Sequence, residues 1–368
     1  MQKCGGDLEY QANLFELRTR EGKEEYSIED AARNLQKNTL NLLDSIPKCY
    51  VHSCGTYQGQ DDPDLDIFQN EEQMGKNAFW NEFNIVFPAD ALMRYTAADH
   101  INISTSNKEL HTKLYNCLVG LAPVFIYAFS LSPCIHGRLV KVWNRRQQLI
   151  HSLGIQSNVC LAGTFPLHSL TQYSKSLEKV ISEAQKQLTE KNNFFFTQNN
   201  LTPQEIVSEY RGSTWGFYKL FTNQVVRFNQ QRGYPEYLEI RCIDAQECVK
   251  STMAITYLIR KIILQLDDLW PLLTHNEDEL RYNVHQATLY GNSADILIRE
   301  KKIDLPTYAQ KILDMLLQKD TCEYEALLRQ RFQFPPAAIM REQMQKNVDI
   351  VQLLSRCLRE NKTLKEIV

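Results

Sequence analysis

The sequence is short of several things that would have assigned it quickly. There is no Cys-x-x-Cys pair among its ten cysteines (4, 49, 54, 117, 134, 160, 242, 248, 322 and 357), and no His-rich cluster accompanies them. A zinc site, whose thiolate and imidazole ligands come at short fixed spacings, is therefore not expected. No Gly-x-x-x-x-Gly-Lys-Ser/Thr run occurs, which excludes a P-loop cradle for a nucleotide. There is no excess of positive charge. Lys and Arg number 41 against 44 Asp and Glu, a net charge of −3, so the basic stripe of a duplex nucleic-acid binder is missing. Internal repeats, low-complexity tracts and Gly/Ser/Pro linkers are also absent, and residues 1–12 are polar and mixed in charge, unlike a signal peptide. These absences point to one domain over residues 1–368, cytoplasmic in character, with its cysteines as reduced thiols.

What is present is a globular balance: 43% hydrophobic and 23% charged residues over 368 positions. From Leu114 to Gly137 there is no Asp, Glu, Lys or Arg, a length that can span a bilayer. Pro123 interrupts it, Ser130, Ser132 and Pro133 crowd its end, and no second apolar run follows. The segment reads as a buried helix. Apolar spacing predicts helices from Ser27 to about Asp44 and over 107–130, 174–190, 245–265, 276–290, 306–318 and 338–358.

Three short segments alternate with period two. In residues 13–19 Glu16 and Arg18 share a face opposite Phe15 and Leu17. In 99–104 His100, Asn102 and Ser104 oppose Ile101 and Ile103, and in 237–242 Tyr237, Glu239 and Arg241 oppose Leu238, Ile240 and Cys242. A solvated sheet face is polar by default. Here, though, the polar positions are carboxylates, an imidazole and guanidinium groups, which hold divalent cations and phosphates. Asp61, Asp62, Asp64 and Asp66 read as a solvated turn, since no Gly or closing Glu completes a calcium loop. Cys160 reads as a core thiol, Trp215 and Phe217 as core aromatics before adenine-stacking ones, and His285 as structural.

The run YPEYLEIRCIDAQ (234–246) resembles the late sheet strand of the glutamate–cysteine ligase family, with Glu239, Arg241 and Asp244 on its pattern. The segment 14–19 with Glu16 resembles that family's metal-binding strand. His100 with Asn102 resembles its His-containing strand, where many carboxylate–amine ligases have a second His. Ser132-Pro133, Gly137-Arg138 and Arg145-Arg146 resemble the central loop, Arg227 the Arg before the last strand, and Leu280-Arg-Tyr-Asn283 with Ala287 and Gly291 the late helix.

The resemblance implies an α+β fold: a curved, mainly antiparallel sheet forming an open funnel with helices on its outer face, as in glutamine synthetase. It implies an ATP-dependent ligase in which the side-chain carboxylate of glutamate takes the terminal phosphoryl of ATP and an amine, cysteine first among candidates, displaces phosphate. It further implies Mg2+ on Glu9, Glu16, His100 and Glu239, and ATP against His100, Asn102 and Arg241. Arg241 and Arg227 would be catalytic, and Arg145 and Arg146 would bind substrate. No nucleic-acid or membrane partner is implied. The family opens with a Gly-x-Glu-x-Glu strand, and nothing of that form stands ahead of Glu16. The expectation is therefore either that the true start lies upstream of Met1, or that the first catalytic strand is lost, which would leave a feeble enzyme or a non-catalytic relative that keeps the fold and some nucleotide binding.

Overall fold

The computed structural model describes residues 6–8, 15–17, 28–46, 51–58, 95–104, 108–149, 226–229, 237–317 and 322–368. Glu9, the aspartates at 61–66, Cys160, Trp215, Phe217 and the helix expected over 174–190 lie outside them.

Within these residues the protein is a mostly helical α+β fold with small antiparallel sheets. The long helices are α1 (Ile28–Ser45), α2 (Lys108–Ala128), α3 (Val249–Leu264) and α5 (Glu277–Tyr290), with the one-turn α4 (Leu266–Leu269) between the last two. A C-terminal group follows: α6 (Leu305–Leu316), α7 (Glu323–Gln333), α8 (Pro336–Gln345), α9 (Ile350–Glu360) and the single turn α10 (Leu364–Ile367). The strands are two to four residues long: β1 (Gly6–Leu8), β2 (Phe15–Leu17), β3 (Ile101–Ser104), β4 (Cys134–Ile135), β5 (Arg138–Leu139), β6 (Val226–Asn229), β7 (Tyr237–Ile240), β8 (Asp295–Ile298) and β9 (Lys301–Asp304).

No curved funnel appears among the described residues. The largest sheet has three strands in the order β3-β7-β6, all antiparallel, and the others are the pairs β1-β2, β4-β5 and β8-β9. Single bridges carry pairing past the ends of the larger sheet: Ala98 opposes Asp244, and Thr56 opposes Thr96. Ahead of Glu16, β1 lies antiparallel to β2 with Asp7 opposite Glu16, and Gly6-Asp7-Leu8 carries no Glu-x-Glu.

The core is organised by α2. From Leu114 to Cys134 nearly every residue is buried, Tyr115, Phe125 and Phe129 among the largest side chains. The helix runs beneath the sheet, touching β6 and β7, and packs against α5 and α6. Its apolar circumference is satisfied on all sides by protein, and that is why the uncharged run is a core helix. Among the described residues no helix is long and apolar enough to cross a membrane. Pro123 removes the amide that would bond the carbonyl of Val119, a cost surrounding packing offsets. Val226, Leu238 and Ile240 supply the sheet's share of this core, the aliphatic face that the period-two pattern anticipates.

A second cluster joins Cys54, Leu131 and Cys134 to the C-terminal helices through Met340, Leu354 and Cys357. The helix expected over 338–358 is two helices. Asn347 takes a left-handed φ of 59°, and Asp349 caps α9 by accepting from the amides of Val351 and Gln352. The described cysteines are all free thiols.

Candidate functional site

The sheet register sets the site. Asn102 of β3 and Arg227 of β6 both stand directly opposite Glu239 of β7, so the three residues form one row across the sheet. Directly opposed residues on antiparallel strands project to the same side. Ile101, Ile103, Leu238, Ile240 and Val226 alternate with that row and enter the core, leaving Asn102 and Glu239 on the other face. Glu239 is nevertheless only 5% exposed. His100, just ahead of β3, brings Nδ1 to 3.6 Å from Glu239 Oε1. Arg241, just past β7, donates from Nη1 to the same oxygen. His100, Asn102, Arg227, Glu239 and Arg241 are therefore gathered by three strands. Glu16 stands on the separate β1–β2 pair.

Beyond Arg241 the chain enters a polar centre that is wholly enclosed. Asp244 is fully buried. Its Oδ2 accepts from the amide of Leu131 (2.8 Å), the hydroxyl of Ser132 (2.6 Å) and the side-chain amide of Asn144 (3.1 Å). Arg146, 4% exposed, donates from Nη2 to the carbonyl of Arg241 at 2.8 Å and sets Nη1 3.6 Å from Asp244 Oδ1. Burial raises the Asp244 pKa, opposed by the Arg146 charge and the three donors. Burial lowers the Arg146 pKa, with Asp244 opposing. Gly55 is required here, since a Cβ would overlap the Asp244 carboxyl.

The two expected substrate-binding arginines thus part company. Arg146 is engaged by protein groups. Arg145 is half-buried, with Nη1 donating to the neutral Gln148 Oε1 at 2.5 Å, and burial lowers its pKa. Sequence reasoning could not separate them, because adjacent arginines carry no signal of which way each faces.

On the other flank of His100, Asp99 accepts from Thr252 Oγ1 at 2.6 Å, and burial pushes its carboxyl up to about 6 against that hydrogen bond. Thr252 lies in the first turn of α3, so β3 is tied to that helix beside the site.

The late-helix residues serve the fold. Asn283 exchanges two hydrogen bonds with the backbone of Leu297, donating at 2.7 Å and accepting at 2.6 Å, and so acts as a strand partner for β8. Ala287 is fully buried, and Gly291 (φ 50°) lies where a Cβ would overlap the indole of Trp143. His285 is exposed on α5. Cys54 lies 3.6 Å from His52 Nδ1, but burial pushes its thiol up to about 12, so it is no activated nucleophile.

The donors around Glu239 suit a hard cation in kind, since carboxylate and amide oxygens are what magnesium takes. In number they fall short: among the described residues no group of three His, Cys, Asp or Glu is arranged to hold a metal. An open cleft of about 340 Å³ lies elsewhere, between Phe334, Gln343, Lys346, Lys365 and Val368, and includes none of these groups. No model of a known protein family matches the chain, and no curated protein matches it.

Proposed function

We propose that the protein is an ATP-dependent carboxylate–amine ligase of the glutamate–cysteine ligase type, joining the side-chain carboxylate of glutamate to an amine. One observation carries this reading: the row Asn102–Glu239–Arg227, with His100 and Arg241 both drawn to Glu239. Transfer of a phosphoryl group to a carboxylate needs little covalent chemistry from the protein. It needs cations placed where negative charge collects, and groups that fix the two reactants in line. Arg241 and Arg227 supply planar, permanently charged guanidinium groups that suit phosphate or carboxylate oxygens. Glu239, with His100, Glu16 and Glu9, is the set that would hold Mg2+, whose role is to neutralise phosphate charge. ATP then lies against His100, Asn102 and Arg241, and Arg145 faces the glutamate carboxylate. The funnel-shaped sheet of the family and a cytoplasmic setting belong to the same proposal.

One feature of the site favours a second reading. Glu239 is 6% exposed at its side chain and already ion-paired to Arg241, so its carboxylate is closed off as it stands. A non-catalytic relative that keeps the fold and some nucleotide binding would have this appearance.

Phosphate release from ATP by the full chain, with Mg2+, glutamate and a panel of amines including cysteine, tests the proposal. Release that requires both glutamate and an amine supports the ligase. ATP binding with no glutamate-dependent release supports the non-catalytic relative, and absence of both ends the proposal.

A further inference from the structure

We infer that Arg146 and Asp244 are a positioning pair that holds Arg241, and through it Glu239, at the end of β7. The inference borrows from the proposed function only the identity of the site. Five separate stretches of chain meet at this pair. Asp244 bonds the amide of Leu131, the hydroxyl of Ser132 and the amide side chain of Asn144. It bridges to Ala98, and the next amide, of Ala245, donates to the carbonyl of Ala97 at 3.3 Å. It also lies against Gly55, whose missing side chain leaves room for the carboxyl. Arg146 joins this hub to the site. Its direct hydrogen bond goes to the main-chain carbonyl of Arg241, the residue whose guanidinium grips Glu239. Its contact with Asp244 is the longer 3.6 Å approach of two atoms that make no other hydrogen bond.

A buried ion pair is a poor device for stability alone, because desolvating two charges offsets most of their attraction and an apolar pair of the same volume does as well. What an arginine adds is direction. Its planar guanidinium bonds the carbonyl of Arg241 through Nη2 while Nη1 faces Asp244 at 3.6 Å, so it orients that carbonyl relative to Asp244, itself fixed by three donors. β7 ends at Ile240, and Arg146 bonds the main-chain carbonyl of the next residue. His100 is held from the other side, through Asp99 and Thr252, so the two flanks of Glu239 are set by different elements.

The test uses the full chain labelled with 15N-arginine, following hydrogen exchange at the Nε–H of Arg241, an atom sealed from solvent. The signal is assigned by its loss in Arg241→Lys. Arg331, whose Nε is likewise sealed but which is set in a different ion pair, is the internal control. Arg146→Lys keeps the charge and loses the second edge; Asp244→Asn keeps the shape and loses the charge. The expected result is exchange at Arg241 at least about tenfold faster in either variant, with Arg331 unchanged. Unchanged exchange at Arg241 in a folded variant overturns the inference. Equal acceleration at both arginines, or collapse of both variants, assigns the pair to general stability and also overturns it. Binding of ATP–Mg2+ is measured in parallel. If the wild-type chain binds none, the ligase reading fails while the exchange result still decides the role of the pair. If it binds, Arg146→Lys weakens binding about as much as Arg241→Met.

Discussion

At the scale of single residues, the protein relies on side chains that complete backbone left unpaired elsewhere. Glu279 is the clearest instance. Arg299 and Glu300 both take left-handed φ values, 52° and 65°, at the turn between β8 and β9, where Asn-Gly is the usual choice. Their amides donate to the Glu279 carboxylate at 3.1 and 2.6 Å, and Thr274 donates to it as well. Burial raises the pKa of this carboxyl, but the three donors outweigh it and the net shift is downward from 4.5. A depressed carboxylate stabilises the fold above its unfolded pKa and loses that contribution as pH falls through the folded value. Glu279→Gln is therefore expected to destabilise the protein by about 1–3 kcal/mol at pH 7, a difference that shrinks as pH falls below 4.5. Urea titrations at pH 7 and pH 3.5 check this, and an equal difference at both would contradict it. Asn361 gives a second case. It ends α9 in the left-handed region (φ 52°) while its Oδ1 accepts from the Lys250 amide, at the start of α3, at 2.9 Å. Asn361→Gly keeps the backbone and loses the cap, whereas Asn361→Ala loses both. Thermal melts should rank wild type above Gly above Ala, the first step about 1 kcal/mol. Neither role is legible in the sequence, because the partners lie 21 and 111 positions away.

At the scale of elements, period-two alternation was informative and turn chemistry was not. Asn102 and Glu239, expected on the polar faces of β3 and β7, stand directly opposite each other, because a buried aliphatic face leaves a strand no freedom to slip its register. The β8–β9 hairpin went unanticipated, since Arg299–Glu300 carries no Gly or Asn to announce a left-handed turn. That mismatch predicts a gain: Glu300→Gly removes the steric cost of a side chain at positive φ and should raise stability by about 1 kcal/mol, read as a higher Tm. A lower Tm would show that the side chain of Glu300 contributes more than its backbone costs. Helix α2 was legible as a buried helix from its lack of charge, and its weight in the core is testable. Phe125→Ala is expected to cost about 3–5 kcal/mol, measured by urea unfolding, because the site is closed on all sides and cannot collapse around the lost ring.

At the scale of the whole molecule, buried polar links join the helical C-terminal part to the sheet. Arg331 of α7 donates to both oxygens of Glu247 at 2.5 and 2.6 Å and to Gln246 Oε1 at 2.8 Å. Glu247 also accepts from the Leu364 amide at 3.3 Å, just ahead of which Thr363 and Glu366 form a capping box. Arg331→Met should cost about 3–5 kcal/mol by stranding the carboxylate, and the double change with Glu247→Met should recover most of it. Both residues read as ordinary surface charges in the sequence, because only the tertiary fold encloses them. The site shows the same division. Its residue types and their shared face could be read from Glu239, His100 and Asn102. That Arg146 turns inward to Asp244 could not.

The most direct test of the proposed site is Mg2+-dependent ATP binding by the full chain, measured calorimetrically for wild type and for Glu239→Gln. The expected result is saturable binding that needs Mg2+ and weakens about tenfold or more in the variant, a loss of about 1.4 kcal/mol. Binding of equal strength in both proteins, or none to the wild type at millimolar ATP, would contradict it.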